Sequence, residues 1–138
     1  MNRYMALFFF AFIFFFSCKD GIVTQAPTVF DGSNGATVLA TYSSIRDNVL
    51  QPSCGVSGCH GGSYFPNLSG NSYNNIVNVT SSAGIPYIKP GNASDSYLLR
   101  KLKGENIYGA KMPYGLPALS QGIIDSIETW INNGAQNN

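Results

Sequence analysis

Apolar residues recur at helical spacing in the middle of the chain. Tyr42, Ile45 and Val49 lie at positions i, i+3 and i+7, on one face of a helix. Thr41 can cap the start of this helix, and Pro52 disfavours its continuation. The pattern therefore predicts a first helix that begins near Thr41 and ends just before Pro52.

Three later stretches show the same spacing and predict helices over residues 70–78, 95–103 and 120–133. Ser94 and Ser120 are suitable caps for the last two of these helices. The predicted fold class is therefore all-α, a small domain of about four short helices. The most regular apolar stripe belongs to the last helix and consists of Ile123, Ile124, Ile127, Trp130 and Ile131.

The chain begins differently, with a phenylalanine-rich apolar run over residues 7–16 behind a positively charged start. The run is shorter than the roughly 20 residues that cross a bilayer as a helix. Its position and flanks are typical of a secretory signal. We therefore predict a signal peptide over residues 1–17, followed by a lipidated cysteine and a flexible tether over 18–35. One folded domain is predicted over 36–138, and its final residues 135–138 are expected to be loose.

The apolar run ends at Ser17 and Cys18. A small residue directly before a cysteine at this place resembles the lipobox of bacterial lipoproteins. The resemblance implies cleavage before Cys18, lipid attached to Cys18, and an exported protein anchored at a periplasmic or cell-surface face of a bacterial membrane. An uncleaved anchor, or a signal cut elsewhere that leaves Cys18 free, are the alternatives.

Charge is balanced in the predicted mature chain. From Cys18 onward there are seven Lys and Arg residues and seven Asp and Glu residues. A nucleic-acid partner would call for a basic excess, so this class of partner is not expected.

The most informative stretch is the seven residues from Cys54 to His60, which hold two of the three cysteines and the only histidine. Four residues separate Cys54 from Cys59, and His60 follows directly. Gly55 and Gly58 allow the intervening loop to adopt backbone angles that are closed to other residues. Cys54 and Cys59 could simply form a disulfide in an oxidising compartment. Alternatively, the two cysteines and His60 could bind zinc, although structural zinc usually takes four Cys or His ligands.

Cys54, Cys59 and His60 resemble the haem-attachment motif of c-type cytochromes, commonly Cys-x-x-Cys-His, in its rarer widened form. The resemblance extends over about residues 41–134 and includes the Met112-Pro113 loop and the last helix. It implies a cytochrome c-like domain around one covalently bound haem c. Cys54 and Cys59 would be the thioether attachment points, and His60 would be an axial ligand of the haem iron.

The residues after His60 extend this prediction. A carbonyl near Pro66 is expected to accept the second imidazole proton, which would orient a ligating histidine. Leu68 is a candidate haem contact.

Met112 is the only methionine after the signal, and it lies in a loop with Pro113 and Pro117. Proline favours an extended backbone at the residue before it. A thioether is a soft ligand that suits haem iron, and His/Met ligation raises the reduction potential. We predict Met112 as the second axial ligand, the alternative being a methionine that fills the core.

With both axial positions filled, the predicted function is single-electron transfer by a membrane-tethered carrier that is not an enzyme, with redox proteins as partners. A basic cluster could steer an acidic partner or simply be a solvated helix face. The cluster consists of Arg100, Lys101, Lys103 and Lys111. One alternative is a haem protein with an open site that reacts with small ligands. The other is a disulfide-stapled surface lipoprotein that binds a partner without haem.

Overall fold

The computed structural model describes the strand Val29–Phe30 and residues 37–138. The predicted signal peptide, Cys18 and most of the predicted tether lie outside the described residues. Regular structure in the described part is almost entirely helical, as the sequence predicts. No helix in these residues has the length and apolar character needed to cross a bilayer.

Helix α1 spans Tyr42–Ile45 and continues directly into a π-helical segment, Arg46–Cys54. Thr41 caps α1 as predicted, its side chain accepting the Ser44 amide. The predicted stop before Pro52 is wrong, because the helix runs through this proline. Proline clashes with the carbonyl four residues back in an α-helix, whereas the wider π turn pairs residues five apart.

Three α-helices follow: α2 spans Tyr73–Ile76, α3 spans Tyr97–Lys103 and α4 spans Gln121–Asn132. Each lies within its predicted stretch and is shorter than that stretch. Ser120 caps α4 as predicted. Ser94 does not cap α3, which begins after Ser96, because the Ser94 hydroxyl instead donates to Asn92 Oδ1 at 2.8 Å.

Two two-residue strands were not predicted. Strand β1, Val29–Phe30, pairs antiparallel with β2, Thr37–Val38. The Ser126 hydroxyl of α4 donates to the Val38 carbonyl at 2.9 Å, which ties β2 to the last helix. Strand β1 therefore lies within the stretch predicted as a tether, and residues 31–36 between the strands are outside the described part.

The predicted looseness of the C-terminal residues is wrong. Ala135 is fully buried, and its carbonyl accepts the Tyr73 hydroxyl at 2.8 Å. The Asn138 side chain and carbonyl accept the amides of Tyr42 and Ser43, which are free donors at the start of α1. The sequence pattern missed this contact because the tail is polar and joins residues distant in the chain.

The core forms where α1 and the π segment meet α3 and α4. The Tyr42 and Trp130 rings lie 5.9 Å apart between centroids, so Trp130 packs against the first helix. Apolar packing of this kind is the main force that holds a small domain together. The buried helical side chains of this core include Ile45, Val49, Leu50, Ile76, Leu99, Leu102, Ile123, Ile124, Ile127 and Ile131.

Candidate functional site

One large cavity of about 670 Å³ opens beside this core. Cys54, Cys59, His60 and Met112 all line it, so the fold brings together the four predicted site residues of the described part. The volume lies within the range of about 300–1,000 Å³ that small-molecule and cofactor pockets occupy.

Two parts of the chain supply most of the lining. We call the lining residues from 49–68 the motif wall and those from 97–119 the methionine wall. Both walls are rich in aliphatic side chains that continue the core, among them Val49, Leu50, Leu68, Leu98, Leu102 and Leu119.

The motif wall begins where the π segment ends. The Gly55 amide donates to the Leu50 carbonyl at 2.6 Å, and the Cys59 amide donates to the Val56 carbonyl at 3.1 Å. The His60 amide then returns to the Cys54 carbonyl at 3.0 Å. The four-residue spacer is thereby folded into a compact turn that closes on itself.

Glycine is required in this turn for two different reasons. A Cβ at Gly55 or Gly61 would lie 2.6 Å from the carbonyl oxygen of Leu68 or Val56 respectively, closer than real Cβ atoms come. Gly58 instead has a φ of 80°, in the left-handed region that favours glycine. The predicted need for a special backbone angle is confirmed for Gly58 and is wrong for Gly55, whose φ is −80° and where glycine is needed for lack of space.

One backbone carbonyl orients the imidazole of His60, and a backbone hydrogen bond fixes the His60 main chain. Its Nδ1 lies 3.0 Å from the Pro66 carbonyl oxygen, as the sequence predicts, and the Leu68 amide donates to the His60 carbonyl at 2.7 Å. A carbonyl can only accept, so Nδ1 carries the proton in this contact. The lone pair of Nε2 is then available to a metal ion, the usual arrangement of a ligating histidine.

The two thiols are free and differ in their surroundings. Cys54 is half-buried and packs against the core, whereas Cys59 is exposed. Burial raises the pKa of the Cys54 thiol from its usual value near 9.0 to about 11, and the nearby Cys59 adds to the rise. Cys54 is therefore a neutral thiol at physiological pH.

Met112 is half-buried on the methionine wall and packs against the edge of the core. Its amide donates to the Lys101 carbonyl at 2.9 Å, which attaches the Met112 loop to α3. A thioether that lines the same cavity as the imidazole is available as a second soft ligand.

Large apolar side chains are exposed where the cavity meets solvent. Phe65 is 91% exposed, and Tyr108 and Tyr114 are 77% and 76% exposed. All three line the cavity, together with the exposed Tyr64 and Leu116. These residues were not predicted as part of the site, although four aromatic residues within polar, glycine-containing loops were a visible signal in the sequence.

The donor set and the walls of the cavity fit a haem. The thiols of Cys54 and Cys59, the imidazole of His60 and the thioether of Met112 all line this cavity. The Nδ1 proton of the imidazole is donated to the Pro66 carbonyl. The surrounding aliphatic and aromatic side chains suit a large, flat, mostly apolar ring. Cys54 and Cys59 would hold the ring, and His60 and Met112 would ligate its iron.

A zinc site finds less support in the same residues. Within the described ranges, no group of three or more His, Cys, Asp or Glu side chains comes close enough together to hold a metal ion. A structural zinc ion usually takes four such ligands.

The predicted basic cluster is largely engaged within the chain. Arg100 pairs with Asp95 at 3.1 Å, and Lys103 pairs with Glu128 at 2.6 Å. Lys101 lines the cavity and donates to backbone carbonyls of the methionine wall. Steering of an acidic partner by these residues stays a prediction.

No protein-family model, no curated protein and no solved structure matches the chain.

Proposed function

We propose that this chain is a monohaem c-type cytochrome that transfers single electrons while anchored to a membrane by lipid on Cys18. One observation carries the proposal: both thiols, the histidine and the methionine of the predicted haem site line one cavity. These residues are up to 58 positions apart in the chain, and no local pattern would bring Met112 to the motif.

Each of the four side chains would have a separate role in this site. Cys54 and Cys59 would fasten the cofactor, and the Pro66 carbonyl would keep the Nε2 atom of His60 free for iron. Met112 would be a second ligand of the iron and would favour the reduced state. The haem would supply the one-electron exchange, and the apolar walls would tune its potential by excluding water.

The proposal is tested by producing the full chain in a host that attaches haem covalently. Intact mass should report one haem and a lipidated Cys18, and haem stain should remain on the chain after denaturing electrophoresis. The double variant Cys54→Ser/Cys59→Ser is the matched control and should lose the stain. A colourless wild-type protein with Cys54 bonded to Cys59 would refute the proposal and favour the disulfide-stapled lipoprotein.

Optical spectra separate the carrier from a haem protein with an open site. A carrier with His60 and Met112 as ligands should show a methionine–iron band when oxidised and react poorly with carbon monoxide. Ready carbon monoxide binding by the reduced protein would instead indicate that small ligands reach the iron.

A further inference from the structure

The loop that carries Met112 has little apolar packing of its own. Tyr108, Tyr114 and Leu116 are 77%, 76% and 58% exposed. Segments with few buried apolar contacts open at low free-energy cost. The position of Met112 must therefore depend strongly on the polar contacts that join this loop to α3.

Two side chains of α3 make those contacts. Lys101 Nζ donates to the Tyr108 carbonyl at 3.0 Å and also to the Ala110 carbonyl. The Tyr97 hydroxyl accepts the Tyr108 amide at 3.1 Å and lies 3.4 Å from the Tyr108 carbonyl. The Lys101 backbone carbonyl completes the set by accepting the Met112 amide at 2.9 Å.

Tyr97 and Lys101 are well placed to act together. They lie four residues apart, so they share one face of α3. The Lys101 ammonium group is 6.0 Å from the centroid of the Tyr97 ring, within cation–π range. Tyr97 is only 5% exposed, so packing in the core fixes the position of its side chain.

The other basic residues of α3 do not share this role. Arg100 and Lys103 are paired with Asp95 and Glu128. Among the described residues that line the cavity, Lys101 is the only lysine or arginine. Charge-assisted hydrogen bonds are roughly twice as strong as neutral ones, so Lys101 is the strongest single link between α3 and the loop.

We propose that Tyr97 and Lys101 form a polar clamp that positions the Met112 loop and thereby sets how firmly Met112 holds the sixth coordination position. This inference rests on the proposed function. Lys101 is a positioning residue in this account, since it acts on the site through the loop backbone.

The test is displacement of Met112 by added imidazole in the oxidised holoprotein, followed by loss of the methionine–iron band. Lys101→Met keeps the apolar stem and removes the ammonium group. A hydrogen bond to a charged group is worth enough to change an equilibrium by about tenfold or more. Imidazole should therefore bind the Lys101→Met protein about tenfold more tightly than the wild type.

Three further variants separate a positioning role from general damage to the fold. Lys103→Met removes a lysine from the same helix and breaks its ion pair with Glu128, and it should leave imidazole binding unchanged. Lys101→Arg keeps donors for two carbonyls and should remain within about threefold of the wild type, because the charge-assisted bonds are retained. Tyr97→Phe removes only a hydroxyl and should shift binding in the same direction as Lys101→Met, by less.

Hydrogen exchange of the Met112 amide in the same holoproteins gives a second readout. Its acceptor is the Lys101 backbone carbonyl, which the substitution leaves in place. Exchange at Met112 should nevertheless be about tenfold faster in Lys101→Met, because the loop opens more often.

The possible outcomes are distinct. A wild-type holoprotein without a methionine–iron band would refute Met112 ligation itself. A wild type with the band, combined with a Lys101→Met protein within twofold of it in both imidazole binding and Met112 exchange, would overturn the clamp alone. If Lys101→Met fails to retain haem, Tyr97→Phe decides by the same two measurements.

Discussion

The two walls of the cavity are built on different principles. The motif wall closes on itself through consecutive backbone hydrogen bonds, and Gly55 and Gly61 in the same stretch lie against neighbouring carbonyls with no room for a side chain. In the methionine wall, an exposed loop that carries Met112 is attached to α3 by one backbone bond at Met112 and by the side chains of Tyr97 and Lys101. His60 is thus held by the backbone around it, and Met112 by contacts that a single substitution can weaken.

This difference bears on how a metal site of this kind would behave. A histidine fixed by the Pro66 carbonyl keeps its position whether or not the other ligand is bound. A methionine on a weakly packed loop can exchange with competing ligands when the loop opens. The reactivity of such a site would therefore be tuned mainly on the methionine side.

The largest expected effect comes from the motif wall. His60→Ala should abolish the native haem spectrum, because it removes the imidazole that backbone contacts hold in the cavity. Absorption spectra of the purified variant measure this directly.

Met112→Ala is the matched change on the other wall. It should leave the covalent haem in place and lower the reduction potential, since His/Met ligation raises that potential. Potentiometric titration checks this, and a potential equal to that of the wild type would exclude Met112 as a ligand.

The next effect concerns the thiols of the haem-free, reduced protein. Burial holds the pKa of Cys54 near 11, so at pH 8 its thiolate fraction is about a hundredfold below that of an ordinary cysteine. Iodoacetamide should therefore modify the exposed Cys59 much faster than the half-buried Cys54, as measured by peptide mass spectrometry. The Cys54 rate should rise as the pH approaches 11, because deprotonation occurs only there.

Unfolding provides the control for this measurement. In concentrated urea the two cysteines should react at similar rates, because burial no longer affects Cys54. Equal rates in the folded protein would show that the motif wall is open at Cys54.

The smallest effect is on the free energy of unfolding, for substitutions of one glycine beside each wall. Gly61→Asn should lower the free energy of unfolding by about 3 kcal/mol, because its Cβ would meet the Val56 carbonyl. Gly109→Asn should cost about 1 kcal/mol or less, since this position has open space around it and a left-handed backbone that asparagine tolerates. Urea titration of both variants measures the difference, and equal costs would mean that the methionine wall is as tightly packed as the motif wall.

Local pattern predicted the helices better than their ends. The apolar stripe of α4 and the caps Thr41 and Ser120 were recognisable because they depend on residues a few positions apart. The course of the helix through Pro52 was not, because a π turn has no strong sequence signature. The ordered tail was missed for a related reason, since Asn138 bonds to Tyr42 across 96 positions.

The candidate site shows the same division. Adjacency in the sequence grouped Cys54, Cys59 and His60 as one unit and led us to expect a carbonyl near Pro66 as the partner of the imidazole. The structure shows that this carbonyl belongs to Pro66 itself. The clamp of Tyr97 and Lys101 could not be read in this way, because its acceptors are backbone carbonyls, which every residue carries.

The amino-acid sequence by itself determined the helical fold class and a compact motif of two thiols and an imidazole, because periodicity and adjacency are local properties. Only the tertiary structure decided that Met112 shares a cavity with that motif. It alone also decided that Lys101, one of several similar lysines, fastens the loop that brings Met112 there. Such contacts arise when the core packs and places distant backbone within hydrogen-bonding distance, which no local pattern encodes.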